Sequence, residues 1–84
     1  MRQGENMFEK LKTKRKIRAL KMQIQDLEKK RERSQSALTV ALLSNVEPSD
    51  TDVDYFNKYT SHINMIRERI RELQQKLENG EKSK

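Results

Sequence analysis

The sequence predicts an all-α fold, an antiparallel two-helix coiled-coil hairpin that completes a helical bundle by self-association. Three observations carry this reading: apolar residues recur every seven residues over two stretches, one proline lies between the stretches, and the stretches are nearly equal in length. With Ile17 at position a, the first repeat runs Ile17, Leu20, Ile24 and Leu27, passes a polar interruption at Arg31 and Ser34, and resumes at Leu38 and Ala41. The second runs Phe56, Tyr59, Ile63, Ile66, Ile70, Leu73 and Leu77. Both are a/d stripes with the period of a coiled-coil seam. Each flanking pattern is about 29 residues, on the order of 44 Å of helix at a 1.5 Å rise.

In chain order, Asn6 with Glu9 three residues on reads as an N-cap and its reciprocal carboxylate. This leaves residues 1–5 as a frayed N-terminus and starts helix 1 near residue 7. No Gly or Pro interrupts the chain from there until Pro48, so the first helix is expected over about 7–45. The turn falls at 46–49, where Pro48 disfavours a helical conformation for Glu47. Ser49 with Asp52, or Thr51 with Asp54, supplies the next capping signature. Helix 2 then covers about 50–79, with Asp50, Asp52 and Asp54 at the end where the helix dipole favours negative charge. Gly80 is the expected C-cap, and 80–84 a flexible tail. The hairpin proper is therefore 6–79.

Pairing about the turn sets Leu38 and Ala41 near Phe56 and Tyr59, and Ile17 to Leu27 near Ile70 to Leu77. The small residues Ser34, Ala37 and Ala41 leave room for Phe56 and Tyr59. On the exposed faces Asp26 with Lys30, Glu72 with Lys76 and Glu78 with Lys82 stand four residues apart, where opposite charges support a helix. Helix 1 starts about ten residues before the stretch helix 2 can cover, so Met7 to Lys16 should project as an arm.

Composition narrows the function. Charged residues make up 38% of the 84 and apolar residues 32%, which suits a surface-rich coiled coil rather than a globule with room for a catalytic cleft. The absence of Cys removes disulfides and thiolate chemistry and fits a reducing compartment. No apolar run approaches membrane-spanning length, and no apolar stretch follows Met1 to Asn6, so a cytoplasmic location is expected. His62 is the lone histidine, and the Ser and Thr residues have no positioned base. Neither an enzyme, a cofactor nor a metal site is expected.

Three features remain for function. Phe8, Met22 and Leu43 at f, Leu11 at b and Val40 at c face away from the seam, and they form the expected protein interface. The partner is a second copy of the chain, as dimer or larger assembly, or an unidentified protein. The run Lys10, Lys12, Lys14, Arg15, Lys16, Arg18 and Lys21 suits phosphates and is the expected contact if the partner is nucleic acid, read without sequence preference. Three apolar neighbours, Met7, Phe8 and Leu11, are too few to anchor this basic helix on a membrane. The charge is polar along the rod: residues 1–33 carry twelve Lys and Arg against five acids, whereas residues 34–60 carry one against four. The leading reading is a non-enzymatic interaction module, an adaptor, inhibitor or assembly factor. The alternative is a small nucleic-acid-binding accessory protein.

The third feature is the acidic tip, Glu47, Asp50, Asp52 and Asp54. A hairpin with carboxylates at its turn, and the segments Arg69-Ile70 and Lys76-Leu77, resembles over Asp50 to Leu77 the N-terminal coiled coil of bacterial transcript-cleavage factors. That resemblance implies a rod that enters a channel of RNA polymerase and presents tip carboxylates to a catalytic metal. Pro48-Ser49 replaces the glycine that opens that family's tip and the family's C-terminal domain does not follow, so no residue roles carry over.

Overall fold

A computed structural model describes the backbone over residues 3–82 and the side chains over 7–79. Two helices, α1 (Gln3–Leu43) and α2 (Asp50–Lys82), fold back on each other as a hairpin. The rod measures 65 × 18 × 16 Å, close to the roughly 62 Å of a straight 41-residue helix. Its length is that of α1, and its width that of two helices side by side.

The seam follows the seven-residue repeat. Ile17, Ile24, Ile63, Ile66, Ile70 and Leu73 form the buried core, with Leu20, Leu27 and Leu77 packed against it. Ile63 has no exposed surface. The six occupy the middle of the rod, from Ile17 and Leu73 on the side of the chain ends to Ile63, past the midpoint of α2 toward the turn. Toward the turn the same a/d positions hold Arg31, Leu38, Ala41, Phe56 and Tyr59, which are only partly buried. Leu38 and Phe56 share this stretch of the seam with Arg31, Ser34, Ala41 and Tyr59, which are charged, small or hydroxyl-bearing, so it excludes less water than the isoleucine stretch.

What holds the tip together is backbone chemistry. Asn45 adopts φ 58°, the left-handed conformation that a short polar side chain tolerates better than most. Its N–H donates to Leu42 O at 3.2 Å, and Val46 N–H donates to Ala41 O at 2.9 Å. This pair of bonds is a Schellman motif with Asn in the place usually held by Gly, and it satisfies carbonyls that the helix end leaves open. Helix 1 therefore ends at Leu43, two residues before the expected boundary. Across the turn, Ser49 Oγ accepts from Asp52 N–H at 3.1 Å and donates to Asp52 Oδ2 at 3.0 Å, while Val53 N–H donates to Ser49 O at 3.1 Å. Of the two capping signatures in the sequence, Ser49 with Asp52 is the one used, and α2 starts at Asp50 as expected.

Both outer ends differ from the sequence reading. α1 already runs from Gln3, so Asn6 lies inside the helix rather than before its first turn. Gln and Glu are good helix formers, and Gly4 costs only about 1 kcal/mol. At the other end α2 continues through Gly80 to Lys82, and no described glycine has positive φ, so Gly80 does not cap the helix. A glycine ends a helix only where the chain must turn away, and here nothing requires it to. Met1, Arg2, Ser83 and Lys84, which the sequence assigns to the frayed end and the tail, lie outside the described residues.

Surface pairing also departs from the expected spacing. Glu72 pairs with Arg69 at 3.3 Å rather than with Lys76, Glu68 pairs with Arg71 at 3.0 Å, and Asp26 and Lys30 do not meet. At three-residue spacing the long Arg side chain reaches a carboxylate in either direction along the helix, so it competes with four-residue Lys pairing. The side chain of Lys82, the expected partner of Glu78, lies outside the described residues. Arg67 crosses to Glu28 at 3.1 Å; both are well exposed, so this bridge helps set register more than it adds stability.

Because one seam holds the two helices, a charge in its middle has no second core to fall back on. Ile66→Asp is expected to abolish the cooperative thermal transition and most of the helical circular dichroism, as a buried unpaired carboxylate exceeds the stability margin of so small a fold. A fully helical, monomeric Ile66→Asp protein would show that the helices do not pair through this seam.

Candidate functional site

The candidate surfaces all involve α1, because its heptad positions beyond a and d have no intramolecular partner. Phe8, Leu11, Met22, Val40 and Leu43 are each more than half exposed, from 52% for Leu11 to 83% for Leu43. They fall into two groups with Met22 between them: Phe8 and Leu11, with exposed Met7, near the chain ends, and Val40 and Leu43, with exposed Leu42 and Val46, at the tip. Between the groups the same face is polar, carrying Arg15, Arg18, Lys29 and Arg33. The apolar surface is thus concentrated at the two ends of the rod.

The expected arm is shorter than the sequence suggests. α1 has 41 residues and α2 33, so about eight residues, roughly 12 Å, extend beyond the paired region. Lys10 and Thr13, at a and d of the same repeat, are already partly buried. The reach of α2 to Lys82 accounts for the difference.

Along the basic run, Lys12, Lys14, Arg15, Lys16, Arg18 and Lys21 are exposed and Lys10 is partly so. Lys12 Nζ sits 5.3 Å from the centre of the Phe8 ring, one turn away, joining the basic and apolar features at the arm. None of these six exposed cations has a carboxylate within 4.0 Å among the described residues, whereas Arg67, Arg69 and Arg71 of α2 each have one. The positive potential of α1 is therefore left uncompensated close to the helix. At the tip, Asp52 is tied into the cap by Ser49, while Asp50 and Asp54 are exposed. Among the described residues no three His, Cys, Asp or Glu side chains converge as a metal site would require. No helix there is long and apolar enough to cross a membrane.

The polar interruption of the seam forms a site that the sequence reading missed. Arg31 lies across the seam with its guanidinium 5.6 Å from the centre of the Phe56 ring, and its Nη1 donates to Thr60 Oγ1 at 3.1 Å. Its Nε is buried without a partner. One turn on, Ser34 is only 6% exposed, yet it is too small to fill its d position against Tyr59. Ser34 is covered, while the groove beside it is left unfilled. An open cavity of about 540 Å³ remains, lined by Lys29, Lys30, Arg33, Ser34, Asp52, Tyr55 and Tyr59. Tyr55 and Tyr59 stack along α2 with ring centres 6.0 Å apart and an interplanar angle of 15°. A signal for this site was present in the sequence: Tyr55 and Tyr59, one turn apart, opposite a seam position occupied by Ser.

Comparison with protein-family models, with curated proteins and with solved structures finds no match for this chain. The functional reading therefore rests on geometry and charge.

Arg31 carries the cost of a buried polar atom at the seam centre. Arg31→Met is expected to raise the melting temperature by several degrees, since an apolar residue of similar length removes a desolvation penalty worth about 1 kcal/mol or more. A lowered melting temperature would mean that the contacts of Arg31 to Phe56 and Thr60 outweigh its burial.

Proposed function

We propose that this chain is a non-enzymatic helical-hairpin interaction module, an adaptor, inhibitor or assembly factor, that associates with itself through the outer face of α1. The observation that carries this reading is the placement of Phe8 and Leu11 at one end of that face and Val40 and Leu43 at the other, all exposed and all pointing away from the seam. A hairpin has one buried line of contact, so a second copy that covers these residues adds the burial the monomer lacks. Each apolar side chain so covered stabilises the assembly by about 1.5–3 kcal/mol.

The test is the solution mass by light scattering. The wild-type chain is expected as a dimer or larger species, and the double variant Phe8→Ser, Leu11→Ser as a species whose association is weakened tenfold or more. Its helical signal should persist, since neither residue belongs to the core. Unchanged mass in the double variant would remove the arm from the interface.

A second reading, a small nucleic-acid-binding accessory protein, is favoured by the uncompensated cations of α1. Contacts through phosphates alone predict binding to any duplex, with log K falling against log salt by about 0.9 for each phosphate neutralised. Retention on duplex that is indifferent to salt, or no retention at low salt, would count against it.

A further inference from the structure

The seven-residue repeat gives the hairpin two edges, and they differ in chemistry. Glu28 and Arg67, both at e, meet in the cross-helix ion pair, so one edge is neutralised. Lys30 and Tyr55, both at g, meet in the cavity beside Ser34, so the cavity lies on the other edge. There Lys29, Lys30 and Arg33 converge against the single carboxylate of Asp52, which is held by the Ser49 hydroxyl. None of the three cations lies within 4.0 Å of a carboxylate among the described residues. Lys16 and Lys76, also at g, place further positive charge on this edge about 21 Å nearer the chain ends, past Gln23, His62 and the Arg69–Glu72 pair.

The aromatic floor is what makes this more than a charged surface. Tyr55 lies nearly parallel to Tyr59 with ring centres 6.0 Å apart and is 47% exposed, which leaves part of its ring accessible to a flat ligand. Three cations beside an accessible ring provide the two components of single-strand recognition, a positively charged track for the backbone and a platform for bases. A duplex keeps its base faces stacked inside and cannot use the platform. An acidic peptide satisfies the cations but leaves the ring idle. The cavity is open along the groove, so it suits a polymer lying across it better than an enclosed small molecule.

We propose that this edge binds single-stranded nucleic acid, a base stacking on the accessible part of the Tyr55 ring and neighbouring phosphates engaging Lys29, Lys30 and Arg33. The proposal shares its ligand class with the second reading above but places the contact at the polar break of the seam rather than on the arm. Asp52 marks the end of the track, because phosphates are repelled there. The strand therefore runs from the tip cavity toward the chain ends.

The experiment is fluorescence anisotropy with a labelled oligothymidylate of about 16 nucleotides, the upper end of ordinary single-strand site sizes, compared with a duplex of the same length and with polyglutamate as competitor. The wild-type chain should prefer the single strand. Tyr55→Ala should weaken that binding about tenfold and leave its salt dependence unchanged, Tyr55→Phe should retain it, and Lys30→Gln should reduce the salt slope by about 0.7. Circular dichroism on each variant establishes that the hairpin is intact. Absence of oligothymidylate binding, equal affinity for duplex with no effect of Tyr55→Ala, or displacement of the strand by polyglutamate at equal charge would each overturn the proposal. An arm variant, Lys14→Gln with Arg18→Gln, separates the two sites: loss of duplex binding there with the Tyr55 effect preserved leaves this proposal standing, and loss of all binding there with Tyr55→Ala silent refutes it.

Discussion

Two helices can bury only the line along which they touch, and in this chain that line is the a/d seam. Ile17 and Ile24 from α1 and Ile63, Ile66, Ile70 and Leu73 from α2 make up its core. Everything else in the rod inherits its environment from that constraint. Three of every seven residues at most can be shielded on each helix, so charged side chains on the remaining faces are a requirement of solubility before they are a sign of function. The informative residues are those that break this rule in either direction: a buried Ser34 and partly buried Arg31 within the seam, and exposed Phe8, Leu11, Val40 and Leu43 outside it. Each of the functional surfaces argued above begins at one of these exceptions.

The seam was legible because its signal is periodic. Each a/d position from Ile17 to Ala41 and from Phe56 to Leu77 is buried or partly buried, since a seven-residue repeat leaves one face for the partner helix. The helix ends were less legible because they depend on what the chain does next. Asn6 and Gly80 are competent end signals, yet each is used only if the neighbouring residues gain more outside the helix than in it. Asn45 is the opposite case. It follows two leucines and a serine that read as continuing helix, and its left-handed φ is set by closing the hairpin through Ala41 and Leu42. The cavity was hidden for a related reason. A repeat reports which residues face each other, but whether Ser34 leaves space below Tyr59 depends on the distance between the helix axes, which Arg31, lying across the seam on Phe56, helps to set.

The uneven distribution of the core gives the middle and the tip of the rod different stability. Between the levels of Ile17 and Ile63, apolar burial resists local opening; at the tip, resistance comes from the Asn45 turn and the Ser49 cap, each a small exposed interaction. Regions with few buried apolar contacts open at lower free-energy cost than the global unfolding. The cavity beside Ser34 lies on the tip side of this core and includes none of its residues. The same arrangement leaves Val40 and Leu43 on a segment able to adapt to a partner.

The two proposed activities of α1 constrain each other through charge. The apolar groups that favour association lie at the ends of the helix, and the stretch between them carries Arg15, Arg18, Lys21, Lys29, Lys30 and Arg33 against Asp26, Glu28 and Glu32. Two copies meeting along this face bring like charge to like charge in the middle while gaining burial at the ends, where the basic end of one rod can meet the acidic tip of the other in an antiparallel arrangement. A polyanion that occupies the cationic stretch lowers the repulsion without touching Phe8, Leu11, Val40 or Leu43. Whatever factor such a ligand contributes to association, association must return to ligand affinity, because the two equilibria share one thermodynamic cycle. A ligand that instead needs the covered face loses affinity by the same rule. The sign of the coupling thus reports where the ligand lies: a ligand that neutralises the cationic stretch and leaves Phe8, Leu11, Val40 and Leu43 free strengthens assembly, and one that needs those four residues competes with it.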